Sequence, residues 1–148
     1  MLVWAVLAIG TFTCQDIVHF ITGGNMLKPQ LVITGLIGEE LFSSMSDLLT
    51  EALPNVQVIR RVPSTDMIRR STRNPNLVLI TNFRLGGQLN APDIIRANPD
   101  TRFLLMVDRS TEGNVESFDN VAIVHKPCGI AELASAICSS MTLMSVGV

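Results

Sequence analysis

The stretch that decides the fold is Leu77–Gly87, LVLITNFRLGG. Its first four residues are apolar, which is typical of a strand buried on both faces of a parallel sheet. Thr81 and Asn82 follow the strand directly, and Gly86-Gly87 breaks the chain. Ligands of open α/β sheets bind at such a turn, beyond the carboxyl end of a strand. The stretch predicts a central strand whose functional end offers neither a useful nucleophile nor a Mg²⁺ ligand at neutral pH.

The same kind of pattern repeats on both sides of this stretch, where short apolar runs alternate with amphipathic segments. Such alternation is typical of a parallel sheet covered by helices on both faces. We predict a flavodoxin-like α/β fold with five parallel strands in the order 2-1-3-4-5. The predicted strands are Leu31–Thr34, Val56–Val62 (at an edge), Leu77–Thr81, Arg102–Val107 and Val121–Val124. The predicted helices are Glu39–Leu53, Thr65–Arg73 (capped by Ser64), Pro92–Ala97, Thr111–Phe118 and Ile130–Met141.

The composition fits one globular domain. A chain of 148 residues is long enough to bury a core, and an apolar content of 47% is ordinary for such a domain. The net charge of −2 gives no electrostatic reason to expect nucleic acid as a partner. The chain has three cysteines without CxxC spacing: Cys14, Cys128 and Cys138. We therefore expect neither a disulfide framework nor a zinc site, and we expect the protein to reside in the reducing cytoplasm.

Residues 1–25 differ in character from the rest. Their apolar run is too short to span a bilayer, and no basic residue precedes Lys28, so we expect neither stable membrane insertion nor a secretory signal. Three interpretations stay open: a packed helix, a weakly membrane-associating segment, or an artefact of start-site choice. We favour the third, with translation beginning at Met26. The predicted division is an N-terminal extension over residues 1–25 and one domain over residues 26–148.

Several polar residues follow the predicted strands and share one edge of the sheet, because the carboxyl ends of parallel strands meet there. A phosphoryl-accepting site at this edge would need a carboxylate nucleophile on strand three and two acids on strand one to hold Mg²⁺. It would also need a hydroxyl on strand four and a lysine on strand five for the phosphoryl oxygens. Only the lysine is present, as Lys126.

From Leu31 to Ala136 the chain resembles the receiver domain of two-component response regulators. The residues that carry the resemblance are Asn74–Leu79 (NPNLVL), Asn82–Gly86 (NFRLG), Leu104–Val107 (LLMV) and Lys126-Pro127. Receivers commonly show a Pro-Asp-Leu-Val-Leu run, then Asp followed by Phe-Arg-Leu or similar, and later Lys-Pro. The resemblance implies a CheY-like fold and a place in phosphorelay signal transduction.

The resemblance also implies a degenerate phosphorylation pocket. The acidic pair of active receivers falls on Thr34 and Gly35. The phosphoacceptor position falls on Asn82, or on Thr81 if the distance from Pro75 sets the register. An amide carries no charge and is a poor nucleophile, and Mg²⁺ loses the carboxylates it prefers. We therefore expect no catalytic residue, no metal and no cofactor.

Strands four and five supply the remaining positions that the resemblance implies. The hydroxyl position falls on Asp108, with Val107 as the alternative register, and the switch-aromatic position falls on Ile123. Lys126 alone keeps the family's residue. An ion pair between Asp108 and Lys126 would fill the space of a phosphoryl group, which we state as a hypothesis.

The function that we predict is that of a pseudo-receiver, not an enzyme, acting by phosphorylation-independent protein–protein interaction. The resemblance implies the face built by the last helix and strand five as the interaction surface. The expected partner is a histidine kinase or an output protein, a homodimer stays open, and so does a position within a larger regulator.

The alternative is a small α/β ligand-binding domain or an enzyme of unknown substrate. Under this alternative, the Gly86-Gly87 pair or the glycines of the Gly35–Gly38 stretch would line an anion site, although neither matches a GxGxxG or Walker A motif. Cys128 would serve as a nucleophile beside His125, an arrangement that adjacent residues on one loop rarely achieve.

Overall fold

The computed structural model describes residues 28–70, 73–108 and 118–146. Five strands form one parallel sheet in the order β2-β1-β3-β4-β5, which confirms the predicted class and strand order. The strands are β1 (Gln30–Thr34), β2 (Gln57–Arg60), β3 (Leu77–Ile80), β4 (Phe103–Val107) and β5 (Val121–His125). The helices within the described residues are α1 (Glu39–Ala52), α2 (Ala91–Ala97) and α3 (Ile130–Val146).

Strand β3 is the centre of the sheet, as the stretch LVLI predicts. It pairs with β1 on one side, where Leu79 lies opposite Ile33, and with β4 on the other, where Leu79 lies opposite Leu104. All four of its side chains are 0% exposed, because each face of the sheet is covered. A run of four apolar residues without polar alternation is what such a position requires.

Side chains that alternate along the strands build two cores, one on each face. Leu77 and Leu79 join the core under α1 and α3, while Val78 and Ile80 join the core under α2. The first core also contains Leu31, Ile33, Leu49, Leu53, Val56, Leu104, Leu133, Ala134, Ile137, Cys138 and Met141. The second also contains Val32, Met67, Ile68, Leu85, Ala91, Ile94, Ile95, Phe103, Leu105 and Val107.

Most element ends lie within one residue of the predictions, and two differ by more. Strand β2 lies at an edge, as predicted, but ends at Arg60; the N–H of Arg61 still donates to the carbonyl of Ile33 at 3.0 Å, and Val62 beyond it is 82% exposed. Helix α3 continues past Met141 to Val146, because no proline or glycine follows until Gly147.

The predicted helix over Thr65–Arg73 is wrong where the structure describes it, since residues 65–70 form consecutive turns. The Ser64 hydroxyl donates to Oδ1 of Asp66 at 2.7 Å instead of capping a helix. This hydrogen bond, followed by the nearby Arg70, holds the pKa of Asp66 below its ordinary value. Met67 and Ile68 are buried in the second core, so packing of these two side chains decides the path of the segment.

Two predictions fall outside the described residues: the extension over residues 1–25 and, except for Phe118, the helix Thr111–Phe118. Among the helices that the structure describes, none has the length and apolar character needed to cross a bilayer.

Candidate functional site

The register of β1 and β3 builds the predicted site. Thr34 lies opposite Ile80, so Thr34-Gly35 and Thr81-Asn82 leave the sheet side by side. The N–H of Thr81 donates to the carbonyl of Thr34 at 3.0 Å, which fixes the two strand ends to each other. The four residues that the sequence assigned to one pocket therefore lie together at the carboxyl edge.

The side chain of Asn82 closes this pocket with two hydrogen bonds. Its Oδ1 accepts the backbone N–H of Leu36 at 2.8 Å and the hydroxyl of Thr81 at 2.8 Å. An amide oxygen has two lone pairs, and these contacts use both. Asn82 thus ties the loop after β3 to the loop between β1 and α1. Leu36 was absent from the sequence-based site because it contributes a backbone N–H, which leaves no mark on residue type.

Gly35 has no room for a side chain. A Cβ atom at this position would lie 1.7 Å from Oγ1 of Thr81 and 2.9 Å from Oδ1 of Asn82. Its φ of +155° also lies in a region that L-residues rarely adopt. The resemblance assigns one member of the acidic pair to this position, and that assignment stays a prediction. Thr81 and Asn82 occupy the space that a side chain at position 35 would need.

Thr34 ends β1 with its side chain 1% exposed, and its hydroxyl has no hydrogen-bond partner among the residues that the structure describes. A buried hydroxyl without a partner costs free energy. We expect Thr34→Val, which removes the hydroxyl at constant shape, to leave the free energy of unfolding unchanged or raise it by up to about 2 kcal/mol. Denaturation in urea measures the change.

The matched control for Thr34→Val is Thr81→Val, since the Thr81 hydroxyl donates to Oδ1 of Asn82 at 2.8 Å. Losing this bond is expected to lower the free energy of unfolding by about 1 kcal/mol. Equal destabilisation in the two variants would mean that the hydroxyl of Thr34 is satisfied in solution.

The residues of the pocket do not fit the Mg²⁺ ion that the receiver resemblance would imply. Mg²⁺ is held in proteins through carboxylate oxygens, and Thr34, Gly35 and Asn82 supply none. The one amide oxygen, on Asn82, already accepts two hydrogen bonds. Over residues 28–70, 73–108 and 118–146, no three His, Cys, Asp or Glu side chains are grouped as a metal site would require.

Asp108 and Lys126 lie next to each other at the same edge. Val107 pairs with His125, and the N–H of Lys126 donates to the carbonyl of Val107 at 2.9 Å. Asp108 is exposed and Lys126 is half-buried. The ion pair between them stays a prediction, and at an exposed carboxylate it would contribute at most about 1 kcal/mol.

Ile123, at the predicted switch-aromatic position, lies in the middle of β5 opposite Leu105. It is half-buried and packs against the second core. Ile123 therefore contributes to packing, as an aliphatic side chain on an edge strand.

The glycine pair after the site lies in a turn that is held by its own backbone hydrogen bonds. Gly86 and Gly87 have φ values of +99° and +59°, which favour glycine. The N–H of Leu89 donates to the carbonyl of Gly86 at 3.1 Å, and the N–H of Leu85 donates to the carbonyl of Leu89 at 2.9 Å. The turn geometry accounts for both glycines without an anion.

Cys128 has the wrong environment for a nucleophile. Burial, and after it the carboxylate of Glu132, raises the pKa of the Cys128 thiol above its ordinary value. The thiolate is the reactive form, so its population at neutral pH is reduced. The enzyme alternative therefore gains no support from Cys128.

Comparisons with known proteins find similar structures but no similar sequences. No protein-family model matches the chain, and no curated protein has significant sequence similarity to it. Solved structures do match. The adenylate cyclase from Rhodopirellula baltica superimposes with a TM-score of 0.65 and 14% identity, covering 82% of this chain and 93% of that one.

Two further similar structures are described as receivers. The signal receiver domain of an HD domain-containing protein from Pseudomonas fluorescens has a TM-score of 0.63 and 16% identity, covering 80% of this chain and 98% of that one. A response regulator receiver protein from Sinorhizobium medicae has a TM-score of 0.60 and 14% identity, covering 81% and 99%.

Identities this low carry the fold and not the activity, so the cyclase of the first match says nothing about catalysis in this chain. The superposition covers nearly the whole of these two receivers, and the strand order β2-β1-β3-β4-β5 is that of the CheY-like fold. The chain has the CheY-like fold of response-regulator receiver domains.

Proposed function

We propose that this chain is a pseudo-receiver of a two-component or phosphorelay pathway, which recognises a protein partner without accepting a phosphoryl group. The observation that carries the proposal is the filled pocket: Oδ1 of Asn82 accepts the N–H of Leu36, and Thr81 occupies the space beside Gly35. Phosphoryl transfer needs a carboxylate nucleophile and ligands for Mg²⁺. Neither is present among Thr34, Gly35, Thr81 and Asn82.

The surface that we propose for the partner is built by β5 and α3. Support comes from the position of β5 at the edge of the sheet, where its residues from Val121 to Val124 are half-buried. On α3, Ala131, Glu132 and Ser135 are exposed. An edge strand presents unpaired backbone N–H and C=O groups that another chain can cover, and this supports a histidine kinase or an output protein as the partner.

The test is the mass of the chain after incubation with acetyl phosphate and Mg²⁺. We expect no phosphoryl adduct on the wild-type chain and none on Asn82→Asp. The aspartate variant gains a carboxylate, but Gly35 and Thr34 still supply no acid for the metal. Folding of both proteins is checked by circular dichroism, and a receiver that is known to be phosphorylated by acetyl phosphate serves as the positive control for the reagent.

A mass increase of one phosphoryl group on the wild-type chain would contradict the proposal. An adduct on Asn82→Asp alone would contradict the argument about the missing metal ligands. In either case the partner surface is tested separately, by binding of the unmodified chain to histidine kinases from the same genome. Kinase or output-protein binding that needs phosphorylation would also contradict the proposal.

A further inference from the structure

A cleft of about 400 Å³ lies between α1 and β2, and no residue of the Asn82 pocket lines it. Its lining residues on α1 recur at three- and four-residue steps, so they share one face of the helix over two turns. Arg60 of β2 forms the opposite wall. The lining residues are Glu39, Phe42, Ser43, Ser46, Asp47 and Arg60.

The guanidinium of Arg60 is held in position by two contacts. It stacks over the Phe42 ring, 5.3 Å from the ring centroid, and its Nη2 donates to the carbonyl of Ile37 at 2.6 Å. This hydrogen bond uses one of the five N–H donors of the guanidinium, and the ring covers a face rather than the edge. A guanidinium edge fits a carboxylate, which it binds through two parallel hydrogen bonds. Arg60 is therefore preorganised to bind a carboxylate.

The two carboxylates of the cleft do not neutralise Arg60. In the described part of the chain, neither Glu39 nor Asp47 forms an ion pair with it. Both acidic side chains are exposed. They are eight residues apart, which separates them by about 12 Å along the helix axis. Charges of both signs are thus available to a ligand in one cleft.

Charge decides between the ligands that this cleft could accept. The two carboxylates repel a simple anion, and Arg60 repels a simple cation. A molecule that carries both charges is attracted at two points, provided that its charges are placed as the cleft requires. The hydroxyls of Ser43 and Ser46 add hydrogen-bonding groups between these points.

The helix fixes the direction of such a ligand. Arg60 stacks on Phe42 and contacts Ile37, so it lies at the amino-terminal end of α1, where the helix dipole also favours an anion. Asp47 lies five residues beyond Phe42, about 7.5 Å further along the axis, and would receive the ammonium. An α-amino acid, whose two charged groups are adjacent, does not bridge that separation.

We propose that the cleft between α1 and β2 binds an ω-amino carboxylate, a linear molecule with a carboxylate at one end and an ammonium at the other. Its carboxylate binds Arg60, its ammonium binds Asp47, and its methylene chain lies along the half-buried Phe42. This site goes beyond the protein-partner surface proposed above and does not depend on it.

The experiment titrates the ¹⁵N-labelled full chain with 6-aminohexanoate and follows the amide signals by NMR. We expect shifts confined to α1 and the end of β2, with a Kd of about 1 mM, as suits a ligand of few atoms. Hexanoate and hexylammonium, which each lack one of the charges, and glycine, which lacks the chain between them, serve as the matched ligands. Each is expected to bind about tenfold or more weakly.

Variants test the two contacts separately. Arg60→Gln and Asp47→Asn are each expected to raise the Kd for 6-aminohexanoate by about tenfold. Glu39→Gln, at the carboxylate end, should leave the Kd unchanged or lower it, because it removes a repelling charge. Arg61→Gln, at the exposed arginine next in the chain, is the control and should leave the Kd unchanged. Circular dichroism verifies folding, and Asp47→Asn decides alone if Arg60→Gln is unfolded.

Three outcomes would overturn the proposal. The first is the absence of saturable shifts on α1 and β2 up to 50-fold the expected Kd, a concentration of about 50 mM. The second is binding of hexanoate, hexylammonium or glycine as tightly as 6-aminohexanoate. The third is an unchanged Kd in Asp47→Asn.

Discussion

Replacement of Gly35 by alanine is expected to lower the free energy of unfolding by about 3 kcal/mol, because overpacking and an unfavourable φ act together at this position. The added Cβ would lie 1.7 Å from Oγ1 of Thr81. Thr81 is β-branched and buried, so its side chain has little freedom to move away. Urea denaturation followed by circular dichroism measures the loss.

Gly38→Ala is the matched control for this prediction. Gly38 is the residue before α1, no atom lies within 4 Å of the Cβ that would be added there, and its φ of −70° suits any L-residue. We expect a change of no more than about 1 kcal/mol, since alanine is only a poorer helix cap than glycine. Equal stability of Gly35→Ala and wild type would contradict the close approach of β1 and β3 at this edge.

A double-mutant cycle tests whether the loss of stability in Gly35→Ala comes from the contact with Thr81. Thr81→Ala removes Oγ1, the atom closest to the added Cβ, although the Cβ of Thr81 remains 3.0 Å away. The two substitutions together should therefore cost less than their sum, by about 1 kcal/mol or more. The same geometry predicts that Gly35→Asp, which places an acid at the family's acidic-pair position, destabilises the chain at least as much as Gly35→Ala.

Replacement of Leu79 by alanine is expected to lower the free energy of unfolding by about 3 to 4 kcal/mol. Leu79 is 0% exposed in the central strand, and Ile33 and Leu104 lie opposite it on the two neighbouring strands. It faces the core under α1 and α3, where strands on both sides keep the cavity from collapsing. Chemical denaturation measures the loss. A lower midpoint with an unchanged m-value shows that only the free energy of unfolding has changed.

Val62→Ala provides the control for Leu79→Ala, because it also shortens an aliphatic side chain. Val62 is 82% exposed just beyond β2, so we expect a change within about 0.5 kcal/mol. A loss at Leu79 no larger than the loss at Val62 would contradict the central position of β3.

Much of the architecture follows from local sequence. Runs such as Leu77–Ile80 and Phe103–Val107 are apolar at every position, and this pattern is typical of strands covered on both faces. The spacing of apolar residues predicts α1 and α3, and the alternation of strands and helices predicts a parallel sheet, for which the order 2-1-3-4-5 is the natural choice with five strands. The failure at Thr65–Arg73 has a physical cause, since burial of Met67 and Ile68 outweighs a weak helical pattern.

For the candidate site too, some properties follow from the sequence and others only from the tertiary structure. The residue types at Thr34, Gly35 and Asn82 already exclude a carboxylate nucleophile and its metal ligands, because those properties belong to single side chains. That Asn82 binds the N–H of Leu36, and that Thr81 fills the space beside Gly35, was decided only when β1 and β3 were brought into register. Contacts between residues more than forty positions apart depend on distances that local patterns do not encode. The sequence alone determined that these positions carry no carboxylate, and the tertiary structure decided which side chains and N–H groups they contact.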